Sequence, residues 1–304
     1  MIALLTHKLE GPPDVGKVRA INEDNFTVAE NLGLFMVADG LGGQNAGEVA
    51  SRMAIETIRS HLDDKRNPLV GEYKGEFSQD TNMMLSGIRL TNSAIYEAGQ
   101  KNSEQRGMGT TISSVFINGD VMSLVHVGDS RIYRIRKERL ERLTMDHSVV
   151  EEQLKQGLIT KEEAAESKYQ NVITRALGAQ ETIEIDADEE VLLDRDRILL
   201  CTDGLTDMVG DEEILRMILR NGDDPQRACE ELVDVANGKG GMDNISVILL
   251  YCEKDEREAT LLERILFSIT GGLRRASVGI RGFFGWKKGE ASSNSGRAKG
   301  EGSV

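Results

Sequence analysis

The chain has 304 residues, 37 bases against 51 acids for a formal net charge of −14, and 39% hydrophobic residues, which 32 glycines bring near the ordinary globular range. That acid excess argues against a protein that works by neutralising nucleic-acid phosphates. Cys201, Cys229 and Cys252 stand far apart with no CxxC or Cys/His spacing, so neither a disulfide framework nor a zinc ribbon is expected. Ile2 to Leu5 is too short for a signal sequence, no uncharged apolar run approaches the ~18–20 residues of a membrane span, and the expected compartment is the reducing cytoplasm.

In chain order, β-type runs come first: Ala3 to Leu9, Asn25 to Ala29, and Leu32 to Ala38, the last stopping at Asp39-Gly40. Apolar residues then recur at helical spacing from Ala46 to Leu62 and from Met84 to Ala98. Thr110 to Ile117, the turn Asn118-Gly119-Asp120, Val121 to Val127 and Arg131 to Ile135 read as an antiparallel meander. A polar, helix-like stretch from His147 to Lys168 follows. Strands are expected at Thr182 to Ala187, Val191 to Leu193 and Arg197 to Thr202, helices at Glu212 to Arg220 and Pro225 to Ala236, and a last strand at Asn244 to Tyr251. Strand runs and helix pairs without βαβ alternation indicate an α+β fold. With no repeat or Pro-rich linker before it, residues 1–254 are expected to be one domain, followed by a tail at 255–304. Residues 259–304 hold eight bases against three acids, a net of +5, which leaves −19 for residues 1–258.

Acids sit at the ends of the apolar runs: Val37-Ala38-Asp39-Gly40, Val127-Gly128-Asp129-Ser130, Cys201-Thr202-Asp203-Gly204, Gly241-Met242-Asp243-Asn244, and Asn22-Glu23-Asp24-Asn25. Any single corner reads as ordinary turn chemistry. Five together suggest convergence, and converging carboxylates repel by about 4 kcal/mol per close pair at an effective dielectric near 20, so they call for a cation. Oxygen donors without Cys or His point to Mg²⁺ or Mn²⁺. Two such ions sharing a carboxylate would activate water for attack on phosphorus, and Arg19 is the planar fork that holds two phosphate oxygens.

Eight motifs in order, Arg19-Ala-Ile-Asn22-Glu23-Asp24-Asn25, Val37-Ala-Asp39-Gly40-Leu-Gly42-Gly43, Gly109-Thr110-Thr111, Val127-Gly128-Asp129-Ser130-Arg131, Leu143-Thr-Met-Asp146-His147-Ser148, Thr174-Arg175-Ala-Leu-Gly178, Thr202-Asp203-Gly204-Leu205 and Asp243-Asn244-Ile-Ser-Val, resemble the metal-dependent (PPM, 2C-type) serine/threonine protein phosphatases in their compact bacterial form. The resemblance covers residues 10–252. It implies a four-layer α-β-β-α sandwich of two antiparallel sheets flanked by helix pairs. It also implies hydrolysis of phosphoserine and phosphothreonine on proteins, opposing a Ser/Thr kinase, with two divalent ions and a weaker third. On that resemblance Asp39 bridges both metals and Gly40 lends its carbonyl; Asp203 and Asp243 complete one shell; Glu23 or Asp24 holds the second ion; and Asp129 joins Asp203 at the third. Arg19 would grip the phosphate, Asn244 would support the site, and 148–179 would form the variable flap.

Gln44 stands where many bacterial members carry His, which leaves the general acid unassigned. His126, inside an apolar run, reads as a packed strand residue, and His147 as a structural hydrogen-bonding one. The rival readings are a phosphatase of an anti-sigma antagonist partner and a pseudophosphatase that only binds phosphoproteins; the full Arg19 motif and the retained Asp39, Asp203 and Asp243 favour the general enzyme, as a monomer. In the tail, 260–270 has a helical apolar face, and 273–288 mixes bases with Phe283, Phe284 and Trp286 in a pattern suited to an anionic membrane surface or an acidic partner.

Overall fold

The computed structural model describes residues 2–8, 13–42, 46–64 and 66–254. The expectations placed on Leu9, on Gln44 and on the tail from 255 onward lie outside these residues. In the first half, the strands are β1 (Ile2–Lys8), β2 (Asn25–Ala29), β3 (Leu34–Ala38) and β4 (Gly40–Leu41), followed by helices α1 (Ala46–Asp63) and α2 (Gln79–Lys101). Next come β5 (Gly109–Thr110), β6 (Ile112–Asn118), β7 (Val121–Val127), β8 (Arg131–Arg136), β9 (Arg139–Arg142), and the short helices α3 (Val149–Lys155) and α4 (Lys161–Ala165). The chain continues through β10 (Asp186–Val191), β11 (Arg197–Cys201), α5 (Asp203–Thr206), α6 (Asp211–Arg220), α7 (Pro225–Gly238) and β12 (Val247–Lys254). All belong to one compact unit, Met1–Lys254.

Two five-stranded antiparallel sheets form, in the orders β1-β12-β11-β8-β9 and β10-β7-β6-β3-β2. Alternation along the strands builds three apolar layers. Phe35 and Val37 of β3 face Ile198 and Leu200 of β11 and Ile248 and Leu250 of β12 between the sheets. Leu34, Met36 and Ala38, on the other face of β3, pack on Ala50, Ala54 and Ile58 of α1 and on Leu85 and Ile88 of α2. Leu199, Val247 and Leu249 likewise meet Ile214, Ile218, Leu232 and Val233 of α6 and α7. A strand buried on both faces must be apolar throughout, which is why all five residues of β3 are buried. The result is the expected α-β-β-α sandwich.

Helix ends follow local chemistry. Ser78 caps α2 by accepting the Thr81 N–H, and Asp224 accepts from Arg227 ahead of Pro225 in the first turn of α7. The stretch from His147 to Lys168 is two helices, not one. Gly157, at φ +69°, ends the first segment, and a Thr160–Glu163 capping box starts the second.

Three strand expectations are corrected. Arg131–Ile135 does not continue the meander: β8 pairs with β11 and β9, so the chain crosses from one sheet to the other at Gly128-Asp129-Ser130. The two runs Thr182–Ala187 and Val191–Leu193 are replaced by one edge strand, β10, whose acids Asp186, Asp188, Glu189 and Glu190 are tolerated because it pairs on one side only, with β7. The last strand begins at Val247, since Asn244 to Ser246 spend their polar groups on the loops around them.

Candidate active site

The corners converge because of strand register. Asn25 pairs with Ala38, Val37 with Ser113 and Ile112 with Val127, so Asp24, Asp39 and Asp129 stand at one end of one sheet. In the other sheet Cys201 pairs with both Val247 and Arg131, which puts Asp203, Asp243 and again Asp129 at one end. The crossing at Asp129 joins these two ends, and the acids of both sheets meet there.

Each acid is held by its own supports. Asp39 donates its N–H to Thr111 Oγ1 at 3.0 Å, while its carbonyl accepts from the Thr111 N–H and Thr110 Oγ1, both at 2.8 Å. Asp24 Oδ2 accepts from Thr202 Oγ1 at 2.8 Å and Ser246 Oγ at 2.7 Å, one hydroxyl from each side of the β11–β12 pair. Asn244 Oδ1 accepts the Glu23 N–H at 2.7 Å, and its Nδ2 donates to the carbonyls of Val15 and Ile21, both at 3.0 Å. Arg19, half-exposed, donates to Asp243 Oδ2 at 2.6 Å. The glycines of the Asp-Gly corners serve close approach. A Cβ on Gly40 would lie 2.2 Å from the Gly47 carbonyl, and one on Gly204 would lie 2.0 Å from the Asn244 carbonyl.

The electrostatics are those of acids without a counter-charge. Burial pushes Asp24 up to about 7 and Asp129 up to about 6. Burial, then repulsion from Asp203, Asp24, Asp129 and Asp243, raises Asp39 well above the carboxylate range; burial and then Asp129, Asp207 and Asp243 do the same to Asp203. Glu23 also rises, through burial opposed chiefly by Arg19. Among the described residues, the Oδ1 atoms of Asp24 and Asp203 are buried with no hydrogen-bond partner. A Cβ on Gly47 would lie 2.5 Å from Glu23 Oε1 and 2.8 Å from the Gly40 carbonyl oxygen, so the bare glycine lets two oxygens converge. These orphaned and converging oxygens fit a hard divalent cation. No three of the described His, Cys, Asp and Glu side chains are grouped closely enough to hold a metal ion by themselves.

All of the expected site residues, Arg19, Glu23, Asp24, Asp39, Gly40, Asp129, Asp203, Asp243 and Asn244, fall in this region. Sequence reasoning missed Asp207, which lies close enough to Asp203 and Asp129 to raise both and is reached from the flap by Asn171 Nδ2 at 3.1 Å. Its signal was available: Asp203 and Asp207 are four apart across a helical turn, hence on one face. The described histidines nearby are structural. His126 is buried between Ser113 Oγ (3.0 Å from Nδ1) and the Met145 carbonyl (3.2 Å from Nε2), and burial pushes it down to about 4. His147 donates its backbone N–H to the Gly128 carbonyl at 2.7 Å and accepts the Gly128 N–H on Nδ1 at 3.1 Å. Its Nε2 lies 3.2 Å from Asp186 Oδ2. It therefore clamps the residue before Asp129, where Gly128 holds φ +112°.

A family model described as protein phosphatase 2C matches residues 17–238, most of the chain. The chain belongs to the protein phosphatase 2C family. Protein phosphatase PhpP of Streptococcus pneumoniae serotype 2 is 35% identical over 248 residues, covering 81% of this chain and 97% of PhpP. Among solved structures, the S. agalactiae serine/threonine phosphatase superposes with a TM-score of 0.71 at 36% identity, covering 83% of this chain and 98% of that one. The catalytic domain of the serine/threonine protein phosphatase PstP, in complex with two manganese ions, gives 0.68 at 32% identity, covering 84% and 98%.

Proposed function

We propose that this 2C-family protein is a metal-dependent serine/threonine protein phosphatase that releases phosphate from phosphoserine and phosphothreonine and opposes a Ser/Thr kinase in a signalling pair. The observation that carries the reading is the set of enclosed acids, Asp24, Asp39, Asp129 and Asp203, all raised by burial and carrying two orphaned oxygens. When bound, two divalent cations, Mn²⁺ or Mg²⁺, supply positive charge and a water activated at neutral pH. Asp39, which feels the charges of Asp24, Asp129, Asp203 and Asp243, would serve both ions; the Gly40 carbonyl, Asp203 and Asp243 would hold one, Glu23 or Asp24 the other, and Asp129 with Asp203 a weaker third.

Arg19 binds the phosphoryl group, exchanging Asp243 for a dianion that accepts both arms of its fork. Asn244 fixes the Glu23 backbone and the Arg19 loop to the same amide. Neither His126 nor His147 has a ring nitrogen free to protonate the leaving oxygen, so the general acid is left unassigned. The reading takes residues 1–254 as the catalytic domain and 255–304 as its tail, in a cytoplasmic monomer. Among the described residues the three cysteines are buried free thiols, and no helix is long and apolar enough to cross a membrane. Phosphate release from a phosphothreonine peptide, measured with Mn²⁺ and with chelator, tests the reading. Release with metal alone is expected, and binding without release by metal-replete protein would overturn it in favour of a pseudophosphatase.

A further inference from the structure

Twelve large apolar side chains are exposed among the described residues, and four of them, Val15, Val18, Ile21 and Met242, fall in two adjoining loops. Scattered singly, such residues carry no meaning; gathered beside a polar site, they mark a contact surface. The loops are stitched together: the N–H groups of Lys17 and Val18 donate to the Gly241 carbonyl at 2.7 and 3.2 Å, and Asn244 Nδ2 donates to the Ile21 carbonyl at 3.0 Å. Arg19 and Asp243, joined at 2.6 Å, lie within the same pair of loops. Val18 precedes Arg19, Ile21 follows it by two, and Met242 precedes Asp243; these three are 58%, 43% and 55% exposed. Apolar side chains, with exposed Lys17 among them, therefore line the two loops that carry the arginine of an otherwise acidic site.

We propose that this lip docks the residues flanking the phosphorylated side chain, and that it selects protein segments with an aliphatic or aromatic residue two positions from the phosphoserine or phosphothreonine. The inference rests on the phosphatase reading and on Arg19 as the phosphate grip. An extended segment advances about 3.3 Å per residue and turns alternate side chains to one face, so with its phosphate on Arg19 the side chains two positions away are directed toward the loops of Val18, Ile21 and Met242. Apolar flanks would bury the lip.

The test uses the full chain with Mn²⁺ and two phosphothreonine peptides of otherwise uncharged sequence, one with Leu and one with Ser two positions to either side of the phosphothreonine, each rate taken relative to turnover of an aryl phosphate by the same protein. The native protein should favour the Leu peptide by about tenfold in kcat/KM, and the double variant Val18→Ser/Met242→Gln should lose that preference. Equal turnover of the two peptides by the native protein would overturn the proposal, as would a preference that survives in the variant. A mass change in light scattering between native and variant protein would assign the lip to a second copy of the chain and also overturn it. Failure to release phosphate from any of these substrates would instead remove the phosphatase reading itself.

Discussion

Asp146 and Asp196 are as deeply enclosed as Asp24, but each has its own cation. Arg131 lies across Asp146, with Nε 3.0 Å from both carboxylate oxygens and a terminal nitrogen 2.6 Å from Oδ2. Arg136 holds Asp196 in the same way at 2.8 and 2.6 Å, and the Leu193 N–H adds a third bond at 2.7 Å. Around Asp24 and Asp39 the fold provides hydroxyls and a backbone amide for position and no arginine, and of the site acids Asp243 alone is paired with Arg19. The difference separates acids that complete the structure from acids kept in readiness for something outside the chain. A carboxylate enclosed with its arginine is finished; one enclosed among other carboxylates is strained until a cation arrives.

The sharpest way to break this comparison is to neutralise one acid of each kind. Asp39→Asn should lower Mn²⁺-supported phosphate release by about 100-fold to 1,000-fold, while the melting temperature of metal-free protein rises because repulsion is relieved. Asp146→Asn should do the reverse to stability, costing about 3 kcal/mol by leaving Arg131 enclosed and unpaired, as read by urea unfolding. If both variants were destabilised alike, the two groups would not differ as described.

pH separates them next. The folded-state values of Asp24, about 7, and Asp129, about 6, lie above those of the unfolded chain, so the folded state holds the extra protons. Their contribution to the stability of metal-free protein is full below about pH 4 and is lost as pH rises through about 6 to 7. Melting curves of chelated protein from pH 5 to 8 should therefore fall by several degrees, and saturating Mn²⁺ should abolish the slope.

The smallest effect concerns His147. His147→Asn retains an acceptor near the Nδ1 position and should keep metal affinity close to native, whereas His147→Ala should weaken Mn²⁺ binding by about tenfold in calorimetry, through a displaced Asp129. Equal loss in both variants would mean that the ring serves packing alone.

Much of the fold and the site was legible because the signals are local. Asp39-Gly40 and Asp203-Gly204 announce strand ends through turn chemistry, and Arg19 stands a few residues before Glu23-Asp24 in a recognisable motif. What escaped depended on partners far away in sequence. The apolar alternation of β8 is the same whether it joins one sheet or the other, so the crossing at Gly128 left no local mark. Asn171 was hidden by standing 36 residues from the acid it contacts, whereas Asp207, four residues from Asp203, was legible in principle.

The order of strands and helices, the acidic body with its basic tail, and the family motifs were determined by the sequence alone, because periodicity, turn residues and charge are properties of neighbours along the chain. Which acids share a cleft, which are neutralised by arginine, and which apolar side chains gather around Arg19 were decided only by the tertiary structure. Burial and repulsion act through space, and two antiparallel sheets in this register bring residues more than 200 positions apart to within hydrogen-bonding distance, as Asp24 and Ser246 are.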